Sequence, residues 1–171
     1  MSSSGRPRAT RPGRTEVGEL QTREARAGDL ESVLGLLRQM PGATGLWEAS
    51  ADARDVLEDM LARPAFYMNR VACREEDGRV IGFVSVVFYK SLLHKGGSAL
   101  INELVVDAAQ RGRGVGRTLL DEAIAEARTR GMDEIEVSTF FGNDAAIRLY
   151  RSAGFTEEYL MLGMELDGTE Q

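Results

Sequence analysis

The sequence predicts an α/β domain built on a mixed sheet, and three observations carry that prediction. Strand-patterned and helix-patterned segments follow one another in the order β-α-α-β-β-β-α-β-α-β. An Asp77-Gly78 pair separates two of the strands, a strong short-range hairpin signal. Three glycines in "QRGRGVGR" at 110–117 lie between a strand and an amphipathic helix, where backbone N–H groups can meet an anion.

Each element has its own reason. "LQTREA" at 20–25 has strand character. "GDLESVLGLLRQM" at 28–40 places Leu30, Val33, Leu34 and Leu37 on one helical face, with Asp29 as the candidate N-cap. "PGATG" breaks that helix, and "ADARDVLEDMLAR" at 51–63 forms a second, stopped by Pro64. "FYMNRVACREE" at 66–76 and "RVIGFVSVVFYKS" at 79–91 are hairpin partners. The apolar run of the second suggests burial on both faces. "SALINELVV" at 98–106 is the next strand. The helix after the glycines runs to about Arg130 and ends at Gly131, with Val115, Leu119, Leu120, Ala123, Ile124 and Ala127 as its core stripe. "DEIEVSTF" at 133–140 alternates as a strand does. "NDAAIRLYRSA" at 143–153 is a short helix capped by Asn143, and "TEEYLMLGMEL" at 156–166 is a final strand.

The chain is 171 residues long, which suits one domain with a single core. Residues 1–18, rich in Ser, Gly, Pro and Arg, cannot bury enough apolar surface to order themselves, so the expectation is a disordered tail before a domain at 19–171. One cysteine, Cys73, excludes an internal disulfide and CxxC zinc sites. One histidine, His94, argues against a histidine triad or metal cluster, so no metal is expected. No apolar run nears the roughly 18 residues of a membrane span, and no apolar stretch follows the N-terminal arginines. A cytoplasmic protein with no membrane partner is expected.

Of the 21 basic residues, four lie in the first 15 positions, so the remaining 17 face all 27 acidic ones. An acidic body repels nucleic acid and would concentrate a cationic ligand. The four tail arginines have no interleaved aromatics for stacking on bases.

Spacing limits the identity of the glycine loop. A dinucleotide fingerprint starting at Gly112 needs Gly or Ala at 117, and a nucleoside-triphosphate loop needs Gly there followed by Lys; Arg117 defeats both. A plain tight turn needs fewer glycines than the three present. Anion binding remains.

"RGRGVG" at 111–116 resembles the R/QxxGxG/A signature of the GNAT superfamily of acetyl-coenzyme A-dependent N-acetyltransferases. "LVVDAAQ" at 104–110 is similar to the strand ending that precedes that loop. "NDAAIRLYRSAGF" at 143–155 resembles the family's NxxAxxLYxxxGF stretch at Asn143, Ala146, Leu149, Tyr150, Gly154 and Phe155. Ala108 stands where the family has a proline. The likeness covers about residues 20–166.

The resemblance implies a mostly antiparallel sheet whose central parallel strands splay apart, flanked by helices. It implies acetyl-coenzyme A as cosubstrate. Backbone N–H groups of Arg111, Gly112, Arg113, Gly114, Val115, Gly116, Arg117 and Thr118 would cradle the pyrophosphate. Leu104, Val105 and Val106 would meet the pantetheine arm, and Asn143 would hold the thioester end.

Acetyl transfer needs an amine stripped of its proton, a donor for the developing oxyanion and a proton for the departing thiolate. Tyr150 is the candidate acid, since a phenol with a pKa near ~10 is protonated at neutral pH; packing alone is the alternative. Glu103 is the candidate base, a carboxylate within the apolar strand "ALINELVV" whose partial burial would raise its pKa; an ion pair or an exposed strand face would equally explain it. A backbone N–H near Val106 is the expected oxyanion donor. Cys73 fits a buried structural thiol, and His94 a solvent-exposed loop. Trp47, Glu48, Asp52, Asp55, Glu58 and Asp59 lie where the family builds its acceptor wall, and the acids would suit a cationic amine; a solvated helix face is the other explanation.

The expected reaction is transfer of acetyl to the primary amine of a small molecule, cationic amines included. Acetylation of a protein lysine or N-terminus, and a non-catalytic acetyl-coenzyme A-binding module, are the competing readings. The last strand would be available to pair with a second copy as a homodimer.

Overall fold

A computed structural model describes residues 20–40 and 50–164. The expected tail at 1–18, the break at 41–45, Trp47 and Glu48 lie outside the described residues.

Five strands form one sheet in the order of the chain: β1 (Leu20–Glu24), β2 (Tyr67–Arg74), β3 (Val80–Tyr89), β4 (Ser98–Val106) and β5 (Glu134–Val137). The first three pairings are antiparallel, and β4 pairs with β5 in parallel. The β4–β5 crossover runs through helix α3 (Val115–Thr129), the connection that parallel strands require. Helices α1 (Leu30–Leu37) and α2 (Ser50–Leu61) cover one face, while α3 and α4 (Asp144–Ala153) cover the other.

The central strand explains the three layers. Residues Val80–Val86 of β3 are all buried, as expected of a strand covered on both sides. Phe83 packs with Val33 and Leu36 of α1, whereas Val84 and Val86 pack with Leu119 and Leu120 of α3. Gly82 allows the closest approach. A methyl group there would lie 3.0 Å from both Leu119 Cδ1 and Val115 Cγ1.

Four expectations need correction. The helix at 28–40 is shorter and opens with a 3-10 turn at Ala27–Asp29. Asp29 does not cap α1 with its side chain: its carboxylate accepts the Arg26 N–H at 2.8 Å and both Arg23 guanidinium branches at 2.7 and 2.8 Å. The Arg23 contact holds this carboxyl below its ordinary value. The strand at 133–140 contracts to Glu134–Val137. The final strand at 156–166 is not formed over its described part, 156–164, which is irregular. Tyr159, Leu160, Met161 and Leu162 run together without alternation and all are exposed, and strand propensity without a ladder partner does not make a strand.

Candidate active site

The site begins with a fault in the β3–β4 ladder. Ser85 is opposite Glu103, but the next pair is Val86 with Ile101, so Asn102 is an extra residue in β4. Such a bulge reverses the alternation of side chains beyond it. Ala99 and Ile101 pack toward α3. Past Asn102, Leu104 and Val106 take that face, and Val105 turns to α1 with Phe83. Glu103, in phase with Val105, is thereby aimed at the α1–α2 side.

There Glu103 and Asn102 line a cavity of about 640 Å³ between α1, α2, the floor at Phe83 and the segment 138–141 after β5. Among the described residues Glu103 makes no ion pair. Burial pushes its carboxyl above the ordinary glutamate range, and the nearby Ser85 hydroxyl offsets part of that rise. Ser85 is fully buried, and its Oγ has no hydrogen bond of normal geometry.

The second part of the site is the opening between β4 and β5. Their ladder stops at Ile101–Val137, so Asn102–Val106 continue without a strand partner on that side among the described residues. At the strand's end Asp107 accepts the Ala109 N–H at 2.9 Å and starts a 3-10 turn at Ala108–Gln110. Gln39 Oε1 accepts the Ala108 N–H at 2.9 Å, tying the turn to the end of α1.

The glycine loop follows. Gly112 (φ 75°) and Gly114 (φ 89°) are left-handed, and a side chain at either would strain the backbone. Among the described residues the N–H groups of 112–117 make no hydrogen bond, whereas Thr118 N–H bonds Gly114 O at 3.0 Å. Six donors therefore gather at the start of a 15-residue helix, where the helix dipole adds positive potential.

The loop arginines differ from one another. Arg111 Nε donates to Val106 O at 3.1 Å. Arg117 pairs with Asp121 and donates to Ser152 O at 3.2 Å, clamping α3 to α4. Arg113 is exposed and makes no ion pair or hydrogen bond among the described residues.

Tyr150 lies on α4 within the α3-side core, 9% exposed, its ring 5.7 Å from that of Phe155. Burial raises its pKa, which keeps the phenol protonated. Asn143 caps α4: its Oδ1 accepts the Ala146 N–H at 3.4 Å, and its Nδ2 donates to Thr139 Oγ1 at 3.1 Å. Glu103 and Tyr150 thus stand on opposite faces of the sheet.

Residues 35–155 match the model of the Acetyltransferase (GNAT) family. The chain belongs to that family. A glucosamine 6-phosphate N-acetyltransferase from Trypanosoma brucei brucei is 26% identical over 89% of the chain and 99% of its own length. An uncharacterised N-acetyltransferase from Methanocaldococcus jannaschii is 36% identical over 52% of the chain, which spans 40% of that relative. A crystal structure of a transcriptional regulator from Bacillus halodurans C-125 shares 26% identity at a TM-score of 0.76, over 86% of this chain and all of that one.

Acetyl-coenzyme A is the cosubstrate of GNAT acetyltransferases, and the six unpaired N–H donors fit its pyrophosphate. Other sequence candidates sit apart. Cys73 is buried in the β2 core. His94 pairs with Glu134 at 3.0 Å beside β5. Asp52, Asp55, Glu58 and Asp59 are exposed and do not line the cavity. Sequence reasoning missed Asn102 and Ser85. Ser85 is the one polar residue inside "VIGFVSVVF", and that was its signal.

Among the described residues no helix is long and apolar enough to cross a membrane.

Proposed function

We propose that the chain transfers an acetyl group from acetyl-coenzyme A to the primary amine of a small molecule. The observation that carries this reading is Glu103, a partly buried carboxylate with no ion pair among the described residues, at the meeting of an acceptor-sized cavity and the open strand edge. Acetyl-coenzyme A supplies the acetyl group as an activated thioester.

The N–H groups of residues 112–117 hold the pyrophosphate, with exposed Arg113 adding charge. The backbone of Leu104, Val105 and Val106 lines the pantetheine path. Thr118, whose N–H is already used, shapes the first helical turn instead of donating. Asn143 acts by fixing the start of α4, which sets Tyr150.

Glu103 accepts the first proton of the ammonium, directly or through a water. The amine nitrogen then forms the amide bond as the carbon–sulfur bond breaks, with an N–H near Val106 holding the charge on the carbonyl oxygen. Tyr150 gives its proton to the leaving sulfur and recovers one from the nitrogen. A positioned acid or base contributes about 10² to 10⁴ in rate.

The test is thiol release from acetyl-coenzyme A with a panel of amines. Turnover should fall about a hundredfold in Tyr150→Phe, and a variant as fast as the parent removes Tyr150 from the chemistry.

A further inference from the structure

We propose that the cavity beside Glu103 takes a primary amine carried on an apolar body, an alkyl or arylalkyl amine. This names the acceptor class for the reaction above and rests on that reading.

The cavity, about 640 Å³, is the size of a small-ligand site. Its walls are Leu30, Leu34 and Leu37 of α1 and Val56 and Leu57 of α2, over Phe83. Its polar side chains are Asn102, Glu103, Ser138 and Thr139, and these lie where β4 and β5 part. Among the described lining residues one end is therefore polar, with a single carboxylate, and the rest is hydrocarbon.

That division decides the acceptor. No Arg, Lys or His is among the described lining residues. A phosphate placed there would lose its water and meet the Glu103 carboxylate. A polyamine would bring its second ammonium against leucines with no counter-charge among the described lining residues, a costly desolvation. The acids of α2 do not supply one, since they point outward, and Glu58 and Asp59 face Arg54 and Arg63. A monoamine places its ammonium at Glu103 and its chain along the walls.

The mouth has the same character. Val56, Phe140 and Met161 are 45%, 59% and 66% exposed, and Phe141 is fully so. Apolar side chains clustered at one opening mark a surface that gains by covering.

The experiment measures kcat/KM for n-alkyl amines, glucosamine 6-phosphate, spermidine and a lysine peptide. Calorimetry of hexylamine is run on the coenzyme A-loaded protein. From propylamine to hexylamine kcat/KM should rise about fiftyfold, the value of three buried methylenes, and hexylamine should bind. Val56→Asp, at a half-exposed wall position, should shift the preference between hexylamine and 1,6-diaminohexane about tenfold toward the diamine. A flat alkyl series, or turnover of the sugar phosphate, spermidine or peptide with hexylamine inert, overturns the acceptor class and leaves the acetyltransferase standing. No turnover of any amine, with coenzyme A bound, overturns both.

Discussion

At the scale of single residues, Glu103 and Ser85 make the sharpest case. Burial raises the Glu103 pKa from the ordinary 4.5, while the Ser85 hydroxyl lowers it. A base works only when ionised, so kcat/KM should fall about tenfold per pH unit below the Glu103 pKa. That acidic limb lies above pH 4.5. Ser85→Ala removes the lowering contact and should move the limb to higher pH; an unmoved limb would detach Ser85 from Glu103. Glu103→Gln should abolish the limb and reduce turnover about 10² to 10⁴. Stability separates this loss from misfolding. A carboxyl whose folded pKa is raised contributes most below its unfolded value, and that contribution is lost as pH rises through the folded pKa. At neutral pH the neutral glutamine carries no such penalty, so its unfolding midpoint should equal or exceed that of the parent.

At the scale of elements, the glycine loop and the α4 cap carry separable predictions. Gly114→Ala puts a Cβ at φ 89° with open space around it, so the penalty is backbone strain, about 1–2 kcal/mol, and not a clash. The KM for acetyl-coenzyme A should rise while acceptor preference stays as it was. Steady-state kinetics with each substrate varied will show whether the change is so confined. Asn143→Ala removes the Oδ1 cap from Ala146 N–H and should cost about 1 kcal/mol by chemical denaturation. These elements were legible because their causes are local: alternation, glycine placement and cap residues are written in adjacent positions. The β2–β3 hairpin partners, the α3 stripe and the Asn143 cap all follow from such patterns. The Asn102 bulge was not legible as such, because its evidence is a change of phase visible only against the partner strand. Residues 156–164 failed for the opposite reason. Their composition favours a strand, but β5 is only four residues long and offers no ladder there.

At the scale of the whole molecule, the two halves of the site belong to opposite faces of one sheet. Glu103 looks to α1 and α2, and Tyr150 to α3, and in the proposed reaction one substrate would reach both through the parting of β4 from β5. The unpaired donors at 112–117 and the open edge past Ile101 are groups that a bound coenzyme would satisfy and an unfolded chain would not assemble. Binding must then appear as stability. Coenzyme A at a hundred times its Kd should add about 2.7 kcal/mol to unfolding. For a domain of this size each kcal/mol moves Tm by about 2–4 °C, so the midpoint should rise by roughly 5–10 °C. Gly114→Ala should need more coenzyme A for the same rise, because its loop is strained. Glu103→Gln should need no more than the parent, because Glu103 faces the acceptor cavity and not the loop. A thermal shift lost equally in both variants would mean that the coenzyme site and the acceptor cavity are not divided between the two faces as drawn above.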